Sequence, residues 1–382
     1  MNFDLTEEQQ MLADTTRDVL LRGYGTTEVR NKAVDAPLDA GPGWSTDVWK
    51  QLAEIGILGL GLDSSGDPEE SGPIEVMVVM TEIGRRLAPE PVAAAALIPG
   101  AVIAAHGSDE QRALLDEVAA GERLLAFAHT EPGRRGSAEL ATRATEQNGV
   151  WTVTGRKNPV IAGDRADTLL VTAALPGGGS GLFLVDASQE GTAVTRAGYR
   201  TFDGQRGADV TFDGAAARPL GSGGDATRAI EEAVLRFQSA LCAEAVGAMD
   251  ESLRLTTDYL KSRKQFGVPL KTFQTLTQRA ADMYVSLELA RSMSYYLAMS
   301  VADARFDPMV GARAKLQIGQ SGRHISQESI QLHGGIGVTA EYPIAHYAAR
   351  LTAIDQTFGS STDQLRYLVG QVGTYGTAAL SL

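Results

Sequence analysis

Two short stretches decide the fold of this chain: Arg263-Lys264-Gln265-Phe266-Gly267 and Gln331-Leu332-His333-Gly334-Gly335-Ile336-Gly337. Both lie in strongly helical sequence. Gln274 follows Arg263 by eleven residues, which on a helix is three turns along nearly the same face. We therefore expect Arg263 and Gln274 to share one surface of a helical domain. Taken singly, the first stretch could be a solvated helix end and the second a glycine C-cap.

The chain divides into three blocks around these stretches. Residues 1–120 are predicted to be helical, because the capping-box patterns Thr6–Gln9 and Ser108–Gln111 open amphipathic runs. Residues 121–220 change to short alternating runs, with Asn148-Gly149 as a hairpin signal. This block is predicted to be a small antiparallel barrel or sandwich.

Residues 225–382 turn helical again after a glycine-rich joint. Long amphipathic runs extend from about 225 to 262 and from 272 to about 304, and a third begins at Asp307-Pro308. An aspartate N-cap followed by proline at the first helical position is a clear start signal. Helices of this length predict a four-helix bundle.

Bulk composition excludes several classes of function. The 382 residues carry a net charge of −13, which argues against nucleic acid or an anionic membrane as a partner. The single cysteine, Cys242, excludes an internal disulfide framework and lies in an apolar run, so we expect a buried structural thiol. The acidic N-terminus shows no signal peptide and no apolar stretch is long enough to span a bilayer, so the cytoplasm is expected.

The two motifs and the order helical, β, helical bundle resemble the acyl-CoA dehydrogenase family over essentially the whole chain. The resemblance implies an FAD cofactor and α,β-desaturation of an acyl-CoA thioester. It also implies that these segments reach across a dimer interface to the adenine and pyrophosphate end of a neighbour's FAD. Arg263 would place a cation against the pyrophosphate, and the glycines would allow close backbone approach. The implied FAD-binding residues are Arg263, Gln265, Phe266, Gln274, Gln331, Gly334, Gly335 and Thr130.

The flavin-ring side departs from the family pattern. His129-Thr130-Glu131-Pro132-Gly133 resembles the loop that lies along the ring, but Arg134-Arg135-Gly136-Ser137 replaces the small residues that usually follow. Lys157-Asn158-Pro159-Val160-Ile161 stands where the family has Lys-x-Trp-Ile-Thr/Ser, so the aromatic face and the hydroxyl are missing.

The catalytic base is missing from both positions where the family carries it. The C-terminal position, just before a glycine, is Phe358, and the alternative position, ten residues before Gly247, is Phe237. A general base must reach the α-proton of the substrate, and phenylalanine cannot accept it. Glu244, two helical turns beyond Phe237, is a weak candidate for a base and could instead be paired in the core.

Three functions remain open from the sequence. The pattern is closest to the small, base-deficient subunit of heteromeric acyl-CoA dehydrogenases, such as the pimeloyl-CoA or bacterial steroid-degrading type. A sister subunit would then supply the glutamate in an α₂β₂ tetramer, with an electron-transfer flavoprotein as acceptor. The alternatives are a self-sufficient homotetramer that uses Glu244, and a flavin-free scaffold or CoA-binding protein. No metal site is expected.

Overall fold

The computed structural model describes residues 4–62, 72–133, 139–189 and 191–374 of the chain. Its N-terminal part is helical, and both predicted capping boxes are present, at Thr6 with Gln9 and at Ser108 with Gln111. The helices are α1 (Glu7–Gly23), α2 (Thr27–Val34), α3 (Thr46–Glu54), α4 (Pro73–Arg86), α5 (Ile98–His106), α6 (Asp109–Arg112) and α7 (Leu114–Ala119), with a 3₁₀ turn at Ile57–Gly59 and a π-helical turn at Ala93–Leu97.

The middle part is a β-barrel. Its strands are β1 (Leu125–Ala128), β2 (Arg143–Gln147), β3 (Val150–Ile161), β4 (Thr168–Ala174), β5 (Ser180–Asp186), β6 (Val194–Arg200) and β7 (Arg206–Pro219). Pairing runs from β4 through β5, β7, β3 and β2 back to β4, which closes the ring, while β6 pairs along β7.

Most strand pairs of the barrel are antiparallel, as predicted. The hairpin turn between β2 and β3 is confirmed, since Asn148 and Gly149 have φ of 51° and 81°, the positive values that a type I′ turn requires. Two pairings depart from the prediction: β1 and β2 each run parallel to β4. The short run that forms β1 lies directly after the N-terminal helices, and its four residues are all buried, so they show no alternation that would signal a strand.

The C-terminal part is the predicted helical bundle. Its helices are α8 (Thr227–Ser262), α9 (Gln274–Ala302), α10 (Pro308–His333), α11 (Pro343–Gln356) and α12 (Ser361–Gly370). The predicted start at Asp307-Pro308 is confirmed, because the Asp307 carboxylate accepts a hydrogen bond from the Met309 backbone N–H.

The predicted helical spacing between Arg263 and Gln274 is wrong. Helix α8 ends at Ser262, and a hairpin of β8 (Lys264–Gln265) and β9 (Val268–Pro269) follows before α9 begins at Gln274. The hairpin turns at Phe266 and Gly267, whose φ values of 52° and 82° stop a helix from continuing.

Helices α4 and α8 join the N-terminal and C-terminal parts by direct backbone contact. A Cβ atom added to Gly84 would lie 1.9 Å from the Glu244 carbonyl oxygen, and one added to Gly247 would lie 1.9 Å from the Thr81 carbonyl oxygen. Only glycine permits this approach, so these positions fix where α8 presents its side chains. Cys242 is fully buried on the same helix, and burial raises the pKa of its thiol to about 12, as expected of a structural cysteine.

Within the described ranges, no helix is long and apolar enough to cross a membrane.

Candidate functional site

The hairpin after α8 lies in the most basic segment of the bundle. Between Asp258 and Asp282 the chain carries five basic residues and no acidic one, although its net charge is −13. Of the five, Lys261 is paired with Asp258 and Arg279 with Glu328. The local positive charge therefore offers an anion a binding surface.

The side chains implicated at this surface point to solvent. Arg263, Gln265, Gln274 and Gln331 are exposed, and none of them hydrogen bonds another side chain in the described part of the protein. Phe266 at the hairpin tip is 91% exposed, and its ring lies edge-on to that of Phe273, with centroids 6.2 Å apart. A large exposed aromatic ring among free hydrogen-bonding groups is typical of a surface that another molecule covers.

The glycine-rich motif begins where α10 ends. Gly334 has a φ of 66°, and a Cβ added to Gly334 or Gly335 would meet no atom within 4 Å. The backbone at these two glycines is thus open to a ligand. Gly334 is also the C-cap of α10, as the alternative interpretation of this motif as a glycine C-cap expected.

An aromatic contact brings the two motifs together. The His333 ring packs on Tyr259, with centroids 4.5 Å apart, and on Tyr342 at 5.0 Å. The Tyr259 carbonyl accepts the backbone N–H of Arg263, so Tyr259 lies one helical turn before the hairpin. Sequence reasoning missed Tyr259 and Tyr342, because an isolated tyrosine on a helix gives no sign of which loop it will meet.

The two positions where the family carries its base are in contact. Phe237 on α8 and Phe358 after α11 are 121 residues apart in sequence, yet their rings stack with centroids 4.6 Å apart and planes inclined by 24°. Phe358 has a φ of 52°, and its carbonyl accepts hydrogen bonds from Gln238 at 3.0 Å and Gln364 at 3.2 Å. The backbone that presents position 358 is therefore held from two helices.

Two more rings complete this aromatic cluster. Phe127 on β1 stacks on Phe237 at 5.6 Å and lies 6.2 Å from Phe358, and His129 stacks on Phe127 at 5.3 Å. Burial and the nearby Lys157 cation lower the pKa of His129 to about 4, so its imidazole is neutral at neutral pH. The cluster of Phe127, His129, Phe237 and Phe358 carries no carboxylate.

A buried ion pair lies beneath His129. Lys157 is 0% exposed and donates to a Glu131 carboxylate oxygen at 2.8 Å, to Thr172 Oγ1 at 3.0 Å and to the His129 carbonyl at 3.1 Å. Burial lowers the pKa of Lys157 to about 8. Burial also opposes ionisation of Glu131, but the hydrogen bonds from Lys157 and from the backbone of Ala141 and Thr142 outweigh it and lower its pKa to about 2.

This network fixes the loop that contains Thr130. The Thr130 carbonyl accepts the backbone N–H of Asn158 at 2.8 Å, next to Pro159, and places the two ring-side segments side by side. Residues 134–138, which contain the Arg-Arg-Gly-Ser departure from the family pattern, lie outside the described residues.

Glu244 is held in an ion-pair network that joins three parts of the fold. Its two carboxylate oxygens accept from Arg350 Nε at 2.6 Å and Nη2 at 2.7 Å, and Arg350 Nη1 donates to Asp203 at 2.7 Å. Arg30 of α2 approaches the Asp203 carbonyl at 3.5 Å. Glu244 is 3% exposed, so the pairing that the sequence left as an alternative is what the fold contains.

Comparison with known proteins identifies the class. Residues 6–122 match the model of the acyl-CoA dehydrogenase N-terminal domain, and residues 224–371 match that of its C-terminal domain. The chain is 30% identical to a chain in a solved structure of a variant of the Tcur3481-Tcur3483 steroid ACAD, with a TM-score of 0.87 over 96% of this chain and 98% of that one. The protein therefore belongs to the acyl-CoA dehydrogenase family, and it has the fold predicted from its sequence.

Relatives with named activities agree with this class. The chain is 29% identical to the acyl-CoA dehydrogenase IpdE2 of Mycobacterium tuberculosis, over 96% of this chain and 98% of the relative. It is 26% identical to the acryloyl-CoA reductase (NADH) of Anaerotignum propionicum, over 90% and 89%. A solved structure of the ChsE4-ChsE5 complex from M. tuberculosis shares the fold, with a TM-score of 0.86. The family is FAD-dependent and acts on CH–CH bonds.

We call the exposed residues Arg263, Gln265, Phe266 and Gln274 the hairpin surface. Their chemistry fits the adenine and pyrophosphate end of FAD. Arg263 supplies an exposed guanidinium, and the glutamines supply amide groups that both donate and accept hydrogen bonds. The open backbone at Gly334 and Gly335 leaves room for close approach. Within the described ranges, no group of three or more His, Cys, Asp or Glu side chains is arranged to hold a metal ion.

Proposed function

We propose that this chain is the base-deficient subunit of a heteromeric acyl-CoA dehydrogenase, in which a sister subunit of the same fold supplies the catalytic glutamate. The observation that carries the proposal is the stack of Phe237 on Phe358, with centroids 4.6 Å apart. Position 237 lies on α8 and position 358 follows α11, yet their side chains meet. A carboxylate at either position would therefore lie in the same small volume of the fold. In this chain, phenylalanine rings fill that volume.

The composition of the aromatic cluster supports the absence of a proton acceptor at positions 237 and 358. Removal of an α-proton requires a group with a matched pKa within hydrogen-bond reach. His129 is the one titratable member of the cluster, and with a pKa of about 4 it is a poor base for a weakly acidic C–H group. Phe127, Phe237 and Phe358 fill the volume around positions 237 and 358 with apolar rings.

The self-sufficient homotetramer has less support. Glu244 would have to release Arg350 before it could accept a proton, and Arg350 would then be left with one carboxylate in a buried environment. Removing a partner from a buried ion pair is strongly unfavourable. We therefore assign Glu244 to the structure rather than to catalysis.

The hairpin surface supports a role in binding FAD across an interface. Arg263, Gln265, Phe266 and Gln274 project from the bundle, and Gln331 with the glycine loop lies beside them through the Tyr259–His333 contact. When FAD is bound it supplies the redox chemistry, whereas this chain's residues would hold its anionic end and orient it. Thr130 remains the candidate contact on this chain's own ring side.

The outer surface of α9 supports assembly with another chain. Tyr284, Val285, Leu289 and Tyr296 are each about half exposed and lie along one helix that starts at Gln274. Apolar side chains in such number on one helix are costly in water and stabilising in an interface. The occupant that we propose is the sister dehydrogenase subunit, in an α₂β₂ tetramer.

The relatives guide the choice of substrate and acceptor. The solved structure at 30% identity is of the Tcur3481-Tcur3483 steroid ACAD, so a steroid-derived acyl-CoA is the first substrate class to test. Electron-transfer flavoprotein is the proposed acceptor, and one relative is named as part of a caffeyl-CoA reductase-Etf complex. We place the complex in the cytoplasm.

Three preparations test the proposal: this chain alone, the chain with a glutamate-bearing sister, and the chain with that sister's glutamate changed to glutamine. We expect dye reduction by acyl-CoA only in the second preparation, because only it contains both a base and a complete flavin site. Dye reduction by this chain alone would favour the homotetramer. A visible spectrum without flavin in every preparation would favour the scaffold or CoA-binding alternative.

A further inference from the structure

Glu90 is a buried carboxyl group outside the region described above. It lies between Pro89 and Pro91, in the segment that leads from α4 into the π-helical turn Ala93–Leu97, and it is 2% exposed. One carboxyl oxygen, Oε1, accepts a hydrogen bond from the Tyr24 hydroxyl and another from the Ser45 backbone N–H at 3.2 Å. The other oxygen, Oε2, is buried and has no hydrogen-bond partner among the described residues.

No cation neutralises Glu90 within the described residues. The Arg30 cation makes no hydrogen bond to Glu90, because its nitrogens donate to the Leu87 carbonyl at 2.7 Å, to Asn31 Oδ1 and to the Asp203 carbonyl. Tyr24 is the other titratable group that faces Glu90, and burial raises the pKa of its phenol further. On α3, which Ser45 caps, Asp47 and Lys50 are exposed to solvent.

These contacts favour the neutral form of the carboxyl group. An ionised carboxylate has two oxygens that each require donors, and leaving one of them buried without a donor is costly. Oε2 lacks a partner in either form, but the ionised form also buries a negative charge with no paired cation, which costs more than an unpaired O–H group. Oε1 accepts two hydrogen bonds, so in the neutral form the proton lies on Oε2.

We propose that Glu90 is held as a neutral carboxylic acid in the folded chain, and that its ionisation loosens the joint between the N-terminal helices and the π-helical turn. The joint is defined by Tyr24 at the end of α1, Ser45 at the start of α3 and Glu90 itself. The π-helical turn that follows packs against β1, which carries Phe127 of the aromatic cluster. The protonation state of Glu90 therefore affects the packing of β1, which forms one side of the aromatic cluster.

The pH window follows from the direction of the shift. Burial raises the pKa of Glu90 from 4.5 to about 7, although hydrogen bonds from Tyr24 and from the backbone of Glu90 and Ser45, together with the Arg30 cation, oppose the rise. Between these two values the unfolded chain releases the proton and the folded chain keeps it. The stability that the neutral group contributes is therefore fully present below pH 4.5 and decreases as the pH rises towards 7. Above the folded-state pKa it is lost and does not change further.

The test compares the full-length wild type, Glu90→Gln and Glu110→Gln. Glutamine keeps the shape and neutrality of the protonated acid, whereas Glu110 is an exposed carboxylate paired only with Arg218 at 3.4 Å. Thermal unfolding is followed by the tryptophan emission of the chain, to which Trp44, buried next to Ser45, contributes. The same series is repeated on the co-expressed complex.

We expect the stability of Glu90→Gln relative to wild type to grow as pH rises from 4.5 to 7, by up to about 300-fold in the unfolding equilibrium, since each unit is tenfold. Glu110→Gln should follow the wild type. Parallel pH profiles of wild type and Glu90→Gln would overturn the proposal.

An infrared difference spectrum keeps the proposal testable if Glu90→Gln folds poorly. Wild-type protein at pH 6 should show a protonated-carboxyl stretching band that disappears as the pH is raised to 8. Tyr24→Phe, which removes one donor to Oε1, should leave that band in place. A spectrum at pH 6 in which every carboxyl group is ionised would contradict the proposal.

Discussion

The hairpin surface and the aromatic cluster are the two ends of one expected cofactor site, and they differ in every physical respect. The hairpin surface is exposed and cationic, with Phe266 91% exposed, and the side chains of Arg263, Gln265 and Gln274 hydrogen bond no other side chain among the described residues. The aromatic cluster is packed, apolar and self-contained, with four rings stacked across α8, β1 and the segment after α11. The hairpin surface is open to contact with another molecule, whereas side chains of this chain fill the aromatic cluster.

This difference is what the proposed function requires, because the chain would leave the base to a sister subunit and keep the contacts to the cofactor. A chain that serves its neighbour's flavin must retain Arg263 and the glycine loop. It need not retain an open volume at positions 237 and 358. Four substitutions test whether the two regions differ in their effects on stability, activity and flavin binding.

Phe237→Ala should have the largest effect on stability. Phe237 is buried and stacks on two other rings, so truncation leaves a cavity and should lower the free energy of unfolding by about 3–5 kcal/mol. Denaturant unfolding measures the loss. A cost below about 1 kcal/mol would mean that the cluster is loosely packed and that its volume is available to a ligand.

Glu244→Gln should cost roughly 3 kcal/mol of stability, because it leaves the buried Arg350 with Asp203 as its one remaining carboxylate. In the assembled complex we expect dehydrogenase activity to fall less than tenfold. The matched control is Glu110→Gln, at an exposed pair that contributes little. A thousandfold loss of activity with FAD still bound would instead identify Glu244 as the base.

Arg263→Ala should weaken FAD binding by roughly 10–100-fold, from the loss of a charge-assisted hydrogen bond worth about 1.5–3 kcal/mol. Stability of the chain should not change, because Arg263 is exposed. Arg305→Ala is the control, since Arg305 is also exposed but lies outside the hairpin surface. Equal flavin occupancy in both variants would show that the first motif is structural only.

Phe266→Ala should have the smallest effect on folding, within about 0.5 kcal/mol, because the ring is almost entirely in solvent. Its effect should be confined to assembly and flavin retention, measured by gel filtration and absorbance of the complex. A stability loss comparable to that of Phe237→Ala would remove the contrast between the two ends.

Much of the architecture could be predicted from local sequence signals. The capping boxes at Thr6 and Ser108, the Asn148-Gly149 turn and the Asp307-Pro308 start all act over a few residues, and the structure contains each of them. The hairpin after Arg263 was missed because its two strands have only two residues each, too few to show an alternating pattern between long helical runs.

The details of the candidate site depend on contacts that no local signal carries. Arg350, which pairs with Glu244, lies 106 residues after it in sequence, and Asp203, which pairs with the same Arg350, lies 41 residues before Glu244. The convergence of Phe237 and Phe358 likewise depends on how α8 and α11 pack. Sequence could place these residues on elements, but only the assembled fold decides which side chains meet.

The ratio of FAD to protein tests the central claim most directly. The chain is co-expressed with a sister subunit that bears a glutamate at a position equivalent to 237 or 358 and an intact Trp-x-Thr/Ser strand. After denaturation of the purified complex, flavin absorbance is compared with the amounts of both chains. The account predicts an α₂β₂ tetramer with two FAD, because only the sister's ring side combined with this chain's hairpin surface makes a complete site. One FAD per chain, in a homotetramer of this protein that oxidises acyl-CoA, would contradict it.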